Sequence, residues 1–144
     1  MIAVQKISAK ETHQIRLDIL RNGVNLPIEF PGDTDPKTFH LGVFEQDELK
    51  GIASFMKTAN VLFDEEQYQL RGMATVREAR GKGYGKLMLL KAFELLREKQ
   101  VRVLWCNARA EALGFYSKLG FLQEGNMFEI KEIGMHCTLF KVMT

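Results

Sequence analysis

Apolar side chains along the chain recur at two spacings, and the switches between them mark out the expected elements. Residues 2–7 read as a short β-strand. Ser8 then precedes a helix-like run with Glu11 three residues on, the pattern of a capping box. That run carries Ile15, Leu17, Ile19 and Leu20 before Asn22-Gly23 ends it. Pro27, Pro31 and Pro36, all the prolines of the chain, come within the next ten residues or so, and 25–37 is expected to be irregular. A loop of this length is either idle surface or the wall of a binding site. Residues 38–44 and 49–58 are strand-like and joined across 45–48 as a hairpin, with 61–63 in the next connection and a further strand at 68–76. In the helix after that strand, Met88, Leu89, Ala92, Phe93 and Leu96 repeat at helical spacing, and Lys91, Glu94, Arg97 and Glu98 face outward. Residues 101–106 form a nearly unbroken apolar run, as an interior strand requires. Strand, loop, helix and strand in that order predict a parallel pair with a right-handed crossover. Asn107 can cap a helix over 108–119, which Gly120 terminates with Phe121 beyond it. Residues 121–130 and 135–142 close the chain as a hairpin around 131–134.

Composition narrows the picture. With 144 residues, 46% hydrophobic and 26% charged, the chain is expected to be one globular domain, 1–144. Its net charge of +2 is unevenly placed. Between Arg77 and Arg102 eight basic residues face three acids, so that stretch holds +5 and the remainder −3. This fits a local anionic partner better than nucleic acid, which calls for a basic face across the domain. Residues 1–10 hold no apolar signal core, and no apolar run nears the roughly 20 residues of a membrane span. A cytoplasmic location is expected. Cys106 and Cys137 sit inside apolar runs as small hydrophobes of a reducing compartment, and no Cys/His spacing suggests a metal site.

The candidate chemistry centres on Val76-Arg77-Glu78-Ala79-Arg80-Gly81-Lys82-Gly83-Tyr84-Gly85-Lys86. Glycine at every second position lets backbone N–H groups approach a ligand closely. A helix normally opens with acids, yet residues 79–93 contain Arg80, Lys82, Lys86 and Lys91 and none. Such a start suits a bound phosphate or pyrophosphate; the alternative is a glycine-rich turn with a solvated basic face. A dinucleotide fingerprint would need glycine where Lys86 stands, and a P-loop would need four residues between Gly81 and Gly85 rather than three. Arg80-Gly81-Lys82-Gly83-Tyr84-Gly85 instead resembles the acyl-CoA pyrophosphate loop of the GNAT superfamily of N-acetyltransferases.

Downstream, Asn107-Ala108-Arg109-Ala110-Glu111-Ala112-Leu113-Gly114-Phe115-Tyr116-Ser117-Lys118-Leu119-Gly120-Phe121 resembles the second motif of that superfamily, at the right distance and in the right order. The resemblance implies an α/β (α+β type) fold with a mostly antiparallel central sheet, one parallel pair and helices on both faces. It implies acetyl-CoA as cosubstrate; the absence of Cys/His spacing speaks for no metal beside it. Arg80, Gly81, Lys82, Gly83, Tyr84, Gly85 and Lys86 would hold the pyrophosphate. The pantetheine arm would run beside Met73, Ala74 and Thr75, where a bulge frees a backbone N–H, with Asn107 on its other side. Tyr116, otherwise a core aromatic, becomes the expected general acid, since a phenol with an ordinary pKa of about 10 is protonated at neutral pH. The general base is open. The strand glutamate of histone-type members would fall near Gln69, which cannot take a proton, leaving Glu129, His136, His40 or a water chain. Two functions are then in view: direct acetyl transfer to a small-molecule or peptide amine in a ternary complex, or an acyl-CoA-binding sensor without chemistry. Arg71, Glu66, His40 and the proline loop are candidates for the acceptor site, and a homodimer is possible by analogy. No nucleic-acid or membrane partner is expected.

Overall fold

The computed structural model describes residues 1–131 and 133–144. Seven strands form one sheet: β1 (Ile2–Ile7), β2 (Phe39–Glu45), β3 (Glu48–Met56), β4 (Gln67–Thr75), β5 (Val103–Arg109), β6 (Leu122–Ile130) and β7 (Gly134–Val142). Their spatial order is β1-β2-β3-β4-β5-β7-β6. Every neighbouring pair is antiparallel except β4 and β5. The 45–48 hairpin holds, with Gln46 and Asp47 both at positive φ, as a tight two-residue turn demands. The turn expected at 131–134 includes residue 132, which lies outside the described residues. No helix among the described residues is long and apolar enough to cross a membrane.

Strand alternation divides the core. Leu41, Val43, Phe55, Leu70, Leu104 and Leu139 face helix α2 (Tyr84–Glu98), whose Met88, Leu89, Ala92, Phe93 and Leu96 are buried against them as the helical spacing requires. On the other face, Ile52 and Ala74 pack with Ile15 of the first helix. That helix, α1, is built of a 3-10 turn (Lys10–Thr12), an α turn (His13–Ile15) and a π turn (Arg16–Leu20). Its capping box is formed: Ser8 N–H donates to Glu11 Oε1 at 2.8 Å and Glu11 N–H to Ser8 Oγ at 3.2 Å. The apolar pattern misplaces one residue, because Leu17 is half exposed while Arg16 is fully buried.

Arg16 organises the proline loop. Its Nη1 and Nη2 donate to Asp33 Oδ2 and Oδ1 at 2.7 and 2.9 Å, and further to Ile28 O at 2.8 Å and Ser54 Oγ at 2.9 Å. His40 completes the network, with Nε2 2.9 Å from the Asp33 carbonyl and Nδ1 2.7 Å from Ser54 Oγ. A carbonyl only accepts, so Nε2 donates to it, and Nδ1 shares its hydrogen bond with the Ser54 hydroxyl. Both ring nitrogens of His40 are therefore occupied in the interior, which removes it from the candidate bases and from the acceptor wall.

Two expected boundaries move. β5 continues through Asn107, Ala108 and Arg109, because these residues pair with Thr138, Cys137 and His136 of β7. Asn107 is thus a strand residue and not a helix cap. The chain leaves β5 through a 3-10 turn (Ala110–Ala112) and only then enters a short helix, α3 (Leu113–Lys118).

Candidate active site

The parallel pairing of β4 with β5 stops at Gln69 and Trp105. Beyond it the strands part, since β4 bulges: Ile52 pairs with Ala74 and Ser54 with Arg71, so Gly72 and Met73 together oppose Ala53. Gly72 takes φ +61°, and a Cβ there would lie 2.7 Å from the Phe30 ring. The bulge expected beside Met73, Ala74 and Thr75 exists, centred one residue earlier on a glycine that the motif does not include. A bulge leaves its extra residue outside the ladder, so the backbone there can turn to a ligand.

Two adjoining clefts open at the split. The larger, about 760 Å³, is lined by Met73, Ala74, Thr75, Arg80, Gly81, Gly83, Tyr84, Gly85, Arg109 and Phe115 among others. Gly81 and Gly83 adopt φ +83° and +80°, and a Cβ at either would meet nothing within 4 Å. Gly83 is the N-cap of α2, without a side-chain cap bond and without an acid in the first turn. The first N–H groups of α2 therefore lack side-chain acceptors and present positive potential to the cleft. The basic side chains divide. Arg80 lines the cleft, whereas Lys82 Nζ is held by Glu45 at 3.0 Å and Lys86 is exposed outside the lining. Tyr84 is buried, and burial together with the Glu45 carboxylate raises its hydroxyl pKa, so that hydroxyl belongs to the β2–β3 side.

The smaller cleft, about 420 Å³, includes Gln69, Arg71, Met73, Cys106, Asn107, Arg109, Tyr116 and His136 in its wall. Tyr116 is set by the end of α3. Phe121 N–H donates to Tyr116 O at 3.1 Å and Gly120 N–H to Ser117 O at 3.0 Å, with Gly120 at φ +94°. This is a Schellman stop, and the Phe121 ring packs edge-on against Tyr116 at 5.2 Å, the apolar contact that accompanies it. The Tyr-x-x-x-Gly-Phe spacing is thus the device that aims the phenol. Burial and the neighbouring Cys106 raise the Tyr116 pKa well above its usual range. Burial likewise pushes the Cys106 thiol up to about 12, which leaves it a poor nucleophile.

Asn107 Oδ1 accepts from Thr138 Oγ1 at 2.9 Å, leaving its amide N–H groups to donate elsewhere. His136 is buried in the same wall, with Nδ1 2.8 Å from the Gly134 carbonyl. A carbonyl only accepts, so Nδ1 carries a proton there, and in the neutral imidazole the lone pair sits on Nε2. Glu129 does not line the cleft: it is exposed on the edge strand β6, while its neighbour Ile130 on the opposite face does. Glu66 also lies elsewhere, ion-paired with Lys57 at 3.3 Å. No group of side chains able to hold a metal occurs among the described residues.

Comparison with known proteins fits this geometry. The family model of the Acetyltransferase (GNAT) family matches residues 9–121, and the chain belongs to that family of acyltransferases, which uses acetyl-CoA. It is 37% identical over 145 residues to an uncharacterized N-acetyltransferase, YitI, of Bacillus subtilis (strain 168), covering 99% of this chain and 97% of that one. The fold is that of a putative N-acetyltransferase from Lactobacillus plantarum (TM-score 0.82, 13% identity, 99% of each chain). Escherichia coli ElaA shares it as well (TM-score 0.80, 20% identity, 98% of this chain and 99% of that one).

Proposed function

We propose that this chain is an N-acetyltransferase that moves an acetyl group from acetyl-CoA to an amine by direct attack in a ternary complex. The observation that carries the reading is the split between β4 and β5, which sets the unpartnered N–H groups of the glycine loop and the Tyr116 phenol on adjoining clefts. The residues fit an acyl-CoA: open space stands over Gly81 and Gly83, and Arg80 adds a cation to the diphosphate site. Acetyl-CoA supplies the activated acetyl thioester. The Met73 to Thr75 backbone borders the arm, and the Asn107 amide donates to it.

The chain's own groups then handle protons. The amine nitrogen bonds to the acetyl carbon as the carbon–sulfur bond breaks. One amine proton leaves through His136 Nε2 to solvent, and the departing sulfur takes the Tyr116 proton, which solvent restores. Both thiols are buried and free, so a covalent acetyl-enzyme has no suitable nucleophile among the cysteines. A second reading, a CoA-binding sensor, draws on Gln69 standing in the cleft where a glutamate base would serve.

Amine-dependent release of CoA from acetyl-CoA separates the two. Transfer predicts release that rises with amine and saturates, together with acetylated product. Tight CoA binding with no release at any amine concentration favours the sensor.

A further inference from the structure

The smaller cleft carries three arginines; Arg109 stands where it meets the larger cleft, while Arg21 and Arg71 lie outside the wall assigned to acetyl-CoA. Arg21, Arg71 and Arg109 line it, and its described lining holds no carboxylate. None of the three takes part in an ion pair among the described residues. Arg16, in contrast, is neutralised by Asp33. Phe30 gathers the group, with the guanidinium carbons of Arg16, Arg71 and Arg21 at 3.7, 4.7 and 5.3 Å from its ring centroid. The cations repel one another. Burial first, then Arg71, Arg16 and Arg109, holds the Arg21 pKa below its ordinary value, and burial and Arg16 do the same to Arg71. Like charges collected in a partly desolvated wall are unfavourable until an anion arrives.

We infer that the acceptor is a small primary amine bearing an oxyanion, a carboxylate or a phosphate, which Arg71 and Arg109 bind. The inference rests on the acetyl-transfer reading and names its substrate class. Arg71 extends from β4 and Arg109 from β5, so a guanidinium stands on either side of the split. The planar fork of arginine suits both oxyanions. A volume of about 420 Å³ accommodates a molecule of amino-acid size. A polyamine would add its charges to those already present. The same positive field favours the neutral form of the acceptor amine, which compensates for glutamine at position 69.

Matched acceptors test this. Each common amino acid is compared with its amide, and phosphoethanolamine with ethanolamine, with spermidine as the polycation; CoA release gives kcat/KM and calorimetry gives CoA affinity. At least one oxyanion arm is expected to exceed its neutral partner about 10-fold or more, the effect of a charge-assisted hydrogen bond. The arm that does so identifies the anion. Arg71→Gln is expected to raise KM for that acceptor about 10- to 100-fold at unchanged CoA affinity, with partial rescue in Arg71→Lys. Equal or better use of neutral amines or spermidine overturns the substrate class and leaves acetyl transfer standing. So does failure of every oxyanion amine, or an Arg71→Gln variant with unaltered KM. Absence of CoA binding in the wild type instead overturns the acetyl-transfer reading itself.

Discussion

Tyr116→Phe is expected to lower kcat for acetyl transfer by about 10- to 1,000-fold while leaving CoA affinity unchanged. The substitution removes one hydroxyl from a ring that the Schellman stop and the Phe121 contact hold in place, so the aromatic packing survives. Cys106 is a poor substitute for the lost donor, because a thiol S–H is an intrinsically weak hydrogen-bond donor. The pH profile adds a second readout. Burial raises the Tyr116 pKa above its ordinary 10, so the wild type should show no alkaline loss from phenol ionisation up to that pH. Steady-state kinetics across pH check both statements. A Phe variant with wild-type kcat would remove Tyr116 from the chemistry.

Asp33→Ala should destabilise the protein by about 3–5 kcal/mol, the usual consequence of stranding one partner of a buried ion pair. Arg16 is wholly buried and would keep, among the described residues, only Ile28 O and Ser54 Oγ as acceptors. The loop would lose the bond from Phe30 N–H to Asp33 Oδ2 as well, at 2.9 Å, and with it the ring beside Arg71. Replacing both partners by apolar residues, Arg16→Met with Asp33→Leu, should cost far less, since no charge is left uncompensated. Denaturant unfolding of the two variants makes the comparison; equal losses would contradict it. The same pair sets an acid dependence. Burial alone would raise the Asp33 pKa, but Arg16 and the Phe30 N–H outweigh it and lower the value below 3.8. A depressed carboxylate pKa stabilises the fold above the unfolded value, so this contribution is expected to fade only as pH falls below about 3.8.

The parts of the site carried by short-range patterns were legible in the sequence. The alternating glycines of 81–85, the acid-free start of α2 and the Tyr116 to Phe121 spacing each encode a local backbone requirement, and local requirements show in consecutive residues. Features that depend on tertiary juxtaposition were not legible. Arg16, Arg21, Arg71 and Arg109 are brought together only by the fold, and nothing at any one position announces a cluster. The apolar rhythm of the first helix counted Leu17 and passed over Arg16, because a buried arginine is intelligible only with Asp33 seventeen residues on. Asn107 has the chemistry of a helix cap, and only its pairing with Thr138 makes it a strand residue. Glu129 has the chemistry of a base, and the period-two alternation of β6 turns it away from the cleft. The bulge was expected from resemblance, but its seat at Gly72 reflects the approach of Phe30, a residue of the irregular loop.

The central claim is that the glycine loop at the head of α2 binds the diphosphate of coenzyme A and so points its sulfur at Tyr116. Calorimetric titration of the folded protein with coenzyme A tests it most directly. Saturable one-to-one binding in the micromolar range is predicted, weakened by removal of the diphosphate in a pantetheine analogue. No heat of binding at millimolar coenzyme, or equal affinity for pantetheine alone, would contradict it.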